Sequence, residues 1–416
     1  MGQRRVAVTG LGIVSPFGTD LDDYFARLAR GESAIRLYST DIPRPFALPA
    51  VHCAGFDGGA ELGRGLAHTM DRCSQLGATA AFAAWQNAGF PEKSAAALPH
   101  RNPGVAWGTA LGGTLTFEQG YRDLYMLGRE RVSPLSVVLG MNNAAASHIS
   151  IQLKLPGPCH TYTIACASAA VAIGEAFHRI RRGEADLMVT GGSDCPLGYG
   201  VVRAWEALRV VAPGDETTAY RACRPFSGDR AGLVLGEGAA ALVLEDWDLA
   251  QARGARIYAE MVGYGTTSDH SHLVKPEADG QVRAIRAALA DGGLTPEQVG
   301  YVNAHGTATR EGDPTEIAAL REVFGPLAPD LPVSATKSMH GHLMGATGAV
   351  EALVTTLALA RNVVPPTAFL DEIDPDCAGV RHVTAAQGAA PSAEAALSNS
   401  FAFGGTNAVL AFRRTA

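Results

Sequence analysis

The sequence predicts an α/β protein in which short buried strands alternate with helices. Three observations point to this fold class. The chain has 416 residues, 47% hydrophobic and 18% charged, which is enough to bury a large core. Short apolar runs recur along it, bounded by glycine-rich turns. Between them lie longer segments with apolar residues at helical spacing, as expected when helices cover both faces of a sheet.

The predicted elements of the first part follow one another in this style. Residues 5–9 are a β-branched run that ends in glycine-rich turns, which predicts a short strand. Alanines and apolar residues at helical spacing predict a helix over 70–88. A strand over 105–108 breaks into TALGGT. The remaining elements of this part are helix 167–180, closed by Gly183, strand 187–190, which ends in GGSD, and strand 239–244.

The second part repeats the pattern and predicts two similar halves. Its elements are helix 281–290, strand 301–303, helix 314–323, strand 331–334, helix 345–359 and strand 409–412. The most plausible joint is the charged, glycine-containing stretch 250–256, so we divide the chain into halves 1–253 and 254–416. Internal similarity is too weak to prove a duplication.

Composition excludes several classes of protein. Lysine and arginine number 34 against 41 acidic residues, a net charge of −7, whereas nucleic-acid binders need a basic face. No stretch approaches the roughly 20 apolar residues of a membrane span. The seven cysteines are an odd number with no CxxC pair, which favours neither a zinc site nor a disulfide framework. A reducing cytoplasm is the expected setting.

Cys166, in TYTIACASAAVAIGEAF, is the strongest candidate nucleophile. A strand-like run leads into it and a helix pattern follows at once, which places the thiol near a helix N-terminus. That position favours the thiolate and predicts a lowered thiol pKa. The other six cysteines are interpreted as buried, inert residues.

His305, in VGYVNAHGTATREGDPTE, stands in a loop between a strand and a helix. Catalytic residues are frequent in such loops, although a single loop histidine is more often structural. Thr307 and Thr309 add hydroxyl groups beside it. Asp313 is predicted to cap the following helix, with Pro314 in its first turn.

Two glycine-containing stretches complete the set. KSMHGHLMGATGAVE contains Lys337, His340, His342 and Glu351. The two histidines are two residues apart, a spacing at which both could bind one metal ion from an extended strand. No carboxylate or thiol lies at ligand spacing, however, so no metal is expected. On its own, Glu351 reads as a solvated helix residue. Near the C-terminus, SNSFAFGGTN combines aromatics with glycines, which suggests a backbone close to a ligand and a movable apolar plug.

Taken in order, CASA, NAHGT, KSMHGH and NSFAFGGTN resemble the motifs of the β-ketoacyl-acyl-carrier-protein synthases. The resemblance covers nearly the whole chain, and it is strongest to the elongating Cys-His-His condensing enzymes. It implies the thiolase-like five-layer αβαβα fold of two similar halves. It also implies an acyltransferase that condenses an acyl group with malonyl-acyl-carrier protein and releases CO₂, in fatty-acid or polyketide chain elongation and hence in lipid metabolism.

The resemblance also assigns roles to individual residues. Cys166 carries the acyl group, and His305 and His342 support decarboxylation. Lys337 and Glu351 are supporting residues. Backbone N–H groups of Cys166 and Phe403 form the oxyanion hole, and Phe403, Gly404 and Gly405 form the gate. Thr307 and Thr309 contact the malonyl arm, and Leu111 lines the acyl pocket. No cofactor is expected beyond the phosphopantetheine of the carrier protein, which is the expected partner of a homodimer, or of a heterodimer with a chain-length factor.

Three departures from the family pattern bear on the pathway. His340 replaces a common threonine, where it either alters the pKa of His342 or fills space. The segment before Met70 and Asp71 lacks the family's basic carrier-binding residues, and so does the loop RVVAPGDETTAY. Other arginines could compensate for this, and the candidates are Arg129, Arg131, Arg209, Arg221 and Arg224.

The alternatives differ in pathway and in class. One is the ketosynthase of a type II polyketide or aryl polyene system, paired with a chain-length factor. Another is a non-catalytic binding subunit like those factors, which lack the nucleophilic cysteine that this chain has at Cys166. A biosynthetic thiolase is set aside, because it needs a second catalytic cysteine where this chain reads NSFAFGGTN.

Overall fold

A computed structural model describes residues 3–40, 44–91, 100–386 and 394–415 of the chain. Its strands are β1 Val6–Val14, β2 Arg36–Thr40, β3 Phe46–Val51, β4 Gly104–Gly108, β5 Cys159–Tyr162, β6 Leu187–Asp194, β7 Leu235–Gly236, β8 Gly238–Asp246, β9 Ala259–Ser268, β10 Val299–Asn303, β11 Pro332–Ser334, β12 Arg381–His382, β13 Ala395–Phe401 and β14 Thr406–Arg413.

The helices alternate with these strands. They are α1 Leu21–Ala29, α2 Gly58–Leu62, α3 Arg64–Ala67, α4 Arg72–Asn87, α5 Thr114–Tyr125, α6 Ser136–Gly140, α7 Ala144–Leu153, α8 Ser168–Arg181, α9 Tyr199–Ala207, α10 Trp247–Ala252, α11 Ala278–Asp291, α12 Gly312–Phe324, α13 Lys337–His340 and α14 Thr347–Arg361.

Two halves of the same topology form the main sheet. Among the described residues it has eleven strands, in the order β12-β11-β10-β13-β14-β9-β1-β8-β6-β4-β5. Reading outward from the central β1–β9 pair, the first half runs β1, β8, β6, β4, β5 and the second runs β9, β14, β13, β10, β11. In each series the first two neighbour pairs are antiparallel and the last two are parallel. The predicted pair of similar halves is therefore visible in the pairing itself.

Helices cover both faces of each half-sheet. The largest core cluster joins α8 and α14 to strands of both halves, so these helices form a central layer. A second cluster packs α4 and α7 on the first half, and a third packs α11 and α12 on the second. The result is the predicted αβαβα arrangement. The exact boundary between residues 253 and 254 stays a prediction.

Glycine allows α8 to lie directly on its half-sheet. A Cβ atom added at Gly108 would stand 2.3 Å from the backbone nitrogen of Ala169. A Cβ atom added at Gly192, on the neighbouring strand β6, would stand 2.8 Å from the Cβ of Ala169. Because nothing larger than glycine fits at Gly108, the first turn of α8 is fixed against the ends of β4 and β6.

Several predicted strands are too short, for one physical reason. Strand β1 continues to Val14 through Gly10 and Gly12, where the sequence predicted a turn after Thr9. Both glycines lie under α4, and a Cβ atom at either would stand about 2.2 Å or less from backbone oxygens of that helix. These glycines therefore permit close helix–strand packing rather than a turn. Strand β6 likewise runs on through GGSD to Asp194.

Two further observations concern the whole described chain. All seven cysteines are free thiols. In the described ranges, no helix combines the length and the apolar character that a membrane crossing requires.

Candidate active site

Cys166 lies in a tight turn between β5 and α8. The residue before it, Ala165, has a φ of 42°, a left-handed conformation that is strained for alanine. The Ser168 hydroxyl fixes this turn, since it accepts from the N–H of Ile164 at 2.8 Å and donates to the carbonyl of Ala165 at 2.7 Å. Helix α8 begins at Ser168, one residue later than the sequence predicted. The thiol is therefore held at the end of the central helix by its own neighbours.

His342 follows β11 and α13 in the second half. Its backbone is fixed by the small sheet, with its N–H donating to the carbonyl of Val234 at 2.7 Å and its carbonyl accepting from Gly236 at 2.9 Å. Its Nε2 atom lies 3.1 Å from the Cys166 sulfur. Its Nδ1 atom lies 2.9 Å from the hydroxyl of Thr347. Both ring nitrogens thus have a partner.

His305 follows β10 and completes the cluster. Its ring centre lies 5.6 Å from that of His342, with the planes at 88°. The carboxylate of Glu316 holds the loop, since it accepts from the N–H groups of His305 and Gly306, each at 2.8 Å. The Nδ1 atom lies 3.3 Å from the Lys337 Nζ. A lysine ammonium can only donate, so Nδ1 accepts and the ring proton of His305 resides on Nε2.

Lys337 and Glu351 form a fully buried ion pair behind the histidines. The Nζ atom lies 2.5 Å from a carboxylate oxygen of Glu351, and both side chains have no exposed surface. Nζ also donates to the carbonyl oxygen of His305. The interpretation of Glu351 as a solvated helix residue is therefore wrong, because α14 is the buried central helix.

The pKa of Cys166 differs from the sequence-based expectation. Burial raises the pKa of this thiol to about 11, although Lys337 and the backbone N–H groups of Phe403 and Cys166 lower it. The helix N-terminus does not offset the loss of water. At neutral pH the thiol is therefore protonated, and its sulfur lies within hydrogen-bond distance of the Nε2 of His342.

Both site histidines are neutral at physiological pH. Burial and the nearby Lys337 lower the pKa of His305 and of His342 well below the ordinary value. A third imidazole, His340, contributes to the lowered pKa of His342. His340 itself is buried between the Thr336 hydroxyl and the Gly341 carbonyl, each at 2.9 Å, and burial lowers its pKa to about 3. Its ring is therefore neutral at physiological pH, and filling buried space is the role of His340 that its contacts support.

A cavity of about 370 Å³ connects the cluster to the surface. Cys166, His305 and His342 lie along it, as do Thr307 and Thr309, whose hydroxyls are 3.0 Å apart. Among the five arginines proposed to contact a carrier protein, Arg209 is the one that lines this cavity. Arg221 and Arg224 pair with Asp371, and Arg129 pairs with Asp123.

The C-terminal FGGT segment forms the turn between β13 and β14. Phe403 and Gly405 line the cavity, and the backbone N–H of Phe403 lowers the pKa of the Cys166 thiol. Gly404 and Gly405 have φ values of 90° and 74°, which non-glycine residues rarely adopt. Leu111, in the TALGGT loop, is not among the residues that line this cavity, so its assignment to an acyl pocket stays a prediction.

The sequence analysis missed or misplaced three site residues. Asp194 accepts from the N–H groups of Ala110, Leu111 and Gly345, which ties the TALGGT loop to the segment after His342. Thr347 was not singled out at all.

Asp313 does not cap α12, which begins one residue earlier. It is buried and accepts from the N–H groups of Phe226 and Ala308. The contacts of Asp194, and that of Asp313 with Phe226, join segments far apart in the chain, whereas Thr347 is only five residues from His342, and no sequence motif marks any of them.

The cluster also offers metal-ligating atoms. The Cys166 sulfur and one nitrogen each of His305 and His342 lie within 4.8 Å of one another. Thiolate and imidazole are ligands that zinc accepts. The Cys166 sulfur and the Nε2 of His342 already lie within hydrogen-bond distance of each other, and the Nδ1 of His305 accepts from Lys337. That the site works without a metal stays a prediction.

Comparison with known proteins places both halves in one family. Residues 3–250 match the family described as "Beta-ketoacyl synthase, N-terminal domain". Residues 258–371 match "Beta-ketoacyl synthase, C-terminal domain". The two matches together span the strands that carry Cys166, His305 and His342.

Individual relatives match over nearly the full length. The chain is 42% identical to Nodulation protein E of Rhizobium sp. (strain N33), with 99% of each chain covered. It is 39% identical to 3-oxoacyl-[acyl-carrier-protein] synthase 2 of Staphylococcus aureus (strain COL), over 99% of this chain and 98% of that one. Among solved structures, the ishigamide ketosynthase/chain length factor matches with a TM-score of 0.90 and 33% identity over both whole chains.

Proposed function

The chain belongs to the β-ketoacyl synthase family, and from this premise we propose that Cys166, His305 and His342 carry out its condensing reaction. The enzyme is an acyl-transferring condensing enzyme, as its 3-oxoacyl-[acyl-carrier-protein] synthase relatives are. The observation that carries the residue assignment is the 3.1 Å contact between the His342 Nε2 and the Cys166 sulfur at the inner end of a cavity that also contains His305.

In the first step the acyl group moves to Cys166. The thiol proton passes to the Nε2 of His342 and then to the departing phosphopantetheine sulfur. One carbon–sulfur bond forms at Cys166 as the other breaks on the carrier. The N–H groups of Cys166 and Phe403 both lower the pKa of this thiol, which supports their assignment as the oxyanion hole.

In the second step malonyl-carrier protein loses CO₂. The bond between its carboxylate carbon and its methylene carbon breaks, and negative charge develops on the thioester oxygen. His305 donates to that oxygen through Nε2–H, because Lys337 occupies its Nδ1. His342 donates as well once Nδ1 accepts from the Thr347 hydroxyl. The carbanion then attacks the acyl carbon, and the released Cys166 thiolate takes up a proton.

The Thr347 hydroxyl explains how His342 can serve in both steps. A hydroxyl can accept from an N–H or donate to a lone pair. When Thr347 accepts from Nδ1–H, the Nε2 atom is free to accept the thiol proton. When Thr347 donates, Nε2 carries the hydrogen that stabilises the enolate. The change of role therefore needs one proton to leave Nδ1 and one to reach Nε2, by exchange with solvent that enters the cavity, and the Thr347 hydroxyl rotates with it.

A dimeric partner covers the surface around α5 and α6. None of the twelve residues of α5 is buried. Tyr125 is 81% exposed, Tyr121 is 58% exposed, and Val137 on α6 is 70% exposed. Such a patch is unusual on a monomer and marks a protein interface. We expect a second copy of the chain here, in a cytoplasmic enzyme that takes its acyl groups from acyl-carrier protein.

The second candidate is a ketosynthase that pairs with a chain-length factor in a polyketide or aryl polyene system. Two observations favour it. The ishigamide ketosynthase/chain length factor is similar over the whole chain. In addition, the segment before Met70 is poor in basic residues, with Arg64 the one lysine or arginine among residues 60–69. In this candidate the α5–α6 surface binds the chain-length factor instead.

Intact-protein mass spectrometry tests these proposals. The enzyme is mixed with carrier-protein thioesters bearing saturated, unsaturated or aryl acyl groups, and then with malonyl-carrier protein. We expect the acyl mass to appear on the wild type but not on Cys166→Ala, and malonyl to discharge it as a 3-oxo product. Cys159→Ala is the matched control, because Cys159 is exposed and outside the site.

The primer that loads best distinguishes the two pathways. Saturated medium chains support fatty-acid elongation, and aryl or unsaturated chains support the second candidate. Loading of the Cys166→Ala variant would refute the assignment of the nucleophile. A wild type that loads no primer, alone or with a chain-length factor, would refute the proposed function.

A further inference from the structure

Trp205 is an aromatic residue of the cavity that the mechanism above does not use. Its ring stacks on that of Phe403, with centroids 5.8 Å apart and planes at 19°. Both residues line the cavity that contains the Cys166 sulfur. The backbone N–H of Phe403 lowers the pKa of the Cys166 thiol. The stack therefore joins a side chain of α9 to the turn that faces the nucleophile.

Each partner of the stack has supports of its own. Helix α9 is anchored at its start, where the Glu118 carboxylate accepts from the N–H groups of Tyr199 and Gly200 at 2.7 and 2.9 Å. Trp205 also packs against the apolar cluster that contains Leu233 and Met344. The turn of Phe403 is held through its backbone, since the N–H of Gly404 donates to the carbonyl of Leu273 at 2.7 Å. The Phe403 side chain has the Trp205 indole as its stacked aromatic neighbour.

We propose that Trp205 is a positioning residue that holds Phe403 in the place where its N–H faces the Cys166 sulfur. This inference rests on the proposed function and adds a determinant of the loading step. Without the indole, the glycine-containing turn samples other positions, and the N–H is less often available to the acyl oxygen. A stacked aromatic pair contributes enough to change the rate of loading roughly two- to tenfold.

Single-turnover loading of an acyl group from its carrier protein tests the proposal. Trp205→Ala and Trp205→Leu are expected to load roughly two- to tenfold more slowly than the wild type, whereas Trp205→Phe keeps most of the rate. In a Phe403→Ala background, Trp205→Ala is expected to have no further effect, because the stack is already lost. Tyr199→Leu is the control, since this aromatic on the same helix does not line the cavity and should load normally.

A second readout does not depend on acyl transfer. The profile of the iodoacetamide alkylation rate of Cys166 against pH should move upward by roughly half a pH unit in Trp205→Ala. It should not move in Trp205→Phe. The proposal would be overturned if Trp205→Ala loaded at the wild-type rate and its alkylation profile did not shift. It would also be overturned if the double variant showed the product of the two single rate losses, because the two residues would then act independently. If the wild type loads no primer, the proposed function fails, and the alkylation profile alone decides the role of Trp205.

Discussion

The Nε2 atom of His342 lies 3.1 Å from the sulfur of Cys166, although the two residues belong to different halves of the chain. Cys166 follows β5 and His342 follows β11, which occupy the same place in the two repeated strand series. Reactive groups from equivalent positions therefore meet across the central helical layer.

Cys166 should react slowly with iodoacetamide at neutral pH. Because burial raises the pKa of the thiol to about 11, the thiolate fraction grows roughly tenfold per pH unit from pH 7 to 10. The alkylation rate, followed by peptide mass spectrometry, should rise in the same proportion and show no plateau in that range. A plateau that begins near pH 8 would show that the thiol is more acidic than its burial implies. Cys166→Ala supplies the background rate of the other cysteines.

Replacement of Thr347 by valine should slow the overall reaction about tenfold or more. The change removes the one hydroxyl at the Nδ1 of His342 and leaves a buried ring nitrogen unpaired, which costs about 1–3 kcal/mol. Steady-state kcat measures the effect. Thr355→Val is the matched control, because Thr355 lies on the same helix and bonds only to the carbonyl of Glu351. Equal activity in both variants would mean that Thr347 has no part in positioning His342.

Loss of one member of the Lys337–Glu351 pair should destabilise the protein strongly. Lys337→Met leaves a buried carboxylate without its partner, for which we expect a loss of about 3–5 kcal/mol in the free energy of unfolding. The double variant Lys337→Met/Glu351→Leu should lose less than the single variant, although both lose activity. Denaturant titration measures these differences.

An exposed pair provides the comparison for that experiment. Arg283 and Asp279 lie 2.9 Å apart on the surface of α11. Arg283→Ala is expected to cost no more than about 1 kcal/mol. Similar losses from Arg283→Ala and Lys337→Met would contradict the special role of burial at the site.

Decarboxylation of malonyl-carrier protein should persist in mildly acidic solution. An imidazole with the ordinary pKa of about 6.5 would be roughly 90% protonated at pH 5.5. The pKa values of His305 and His342 are lowered, so both rings stay neutral as the pH falls through 6.5. We therefore expect CO₂ release to change less than about twofold between pH 7.5 and 5.5, with circular dichroism as the check on folding. A loss with a midpoint near 6.5 would assign an ordinary pKa to one of the two histidines.

The residues proposed to react stand out in the sequence because each follows a strand within a distinctive motif. Cys166, His305 and His342 line one cavity, and their roles in the reaction stay predictions. The pKa of Cys166 could not be predicted, since it depends on burial by elements from both halves. The roles of Thr347 and Asp194 were missed for a similar reason. An unremarkable threonine and an aspartate after GG gain meaning only from the segments packed beside them.

Glycine explains the errors in the strand boundaries. In sequence, Gly10 and Gly12 look like turn residues after a short apolar run. In the structure they leave room for α4 above an unbroken strand. A glycine that adopts a left-handed backbone and a glycine that permits close packing cannot be distinguished from a single sequence. At Gly404 and Gly405 the first use applies, and there the prediction of a turn near the ligand agrees with the backbone.

The repeated strand order also constrains when the enzyme becomes reactive during its synthesis. Cys166 leaves the ribosome long before His305 and His342, and Phe403 comes only with the last two strands, β13 and β14. Until those strands pair, the sulfur lacks the N–H of Phe403. If Cys166 and Phe403 act as proposed, acyl loading is therefore assisted only after β13 and β14 have formed.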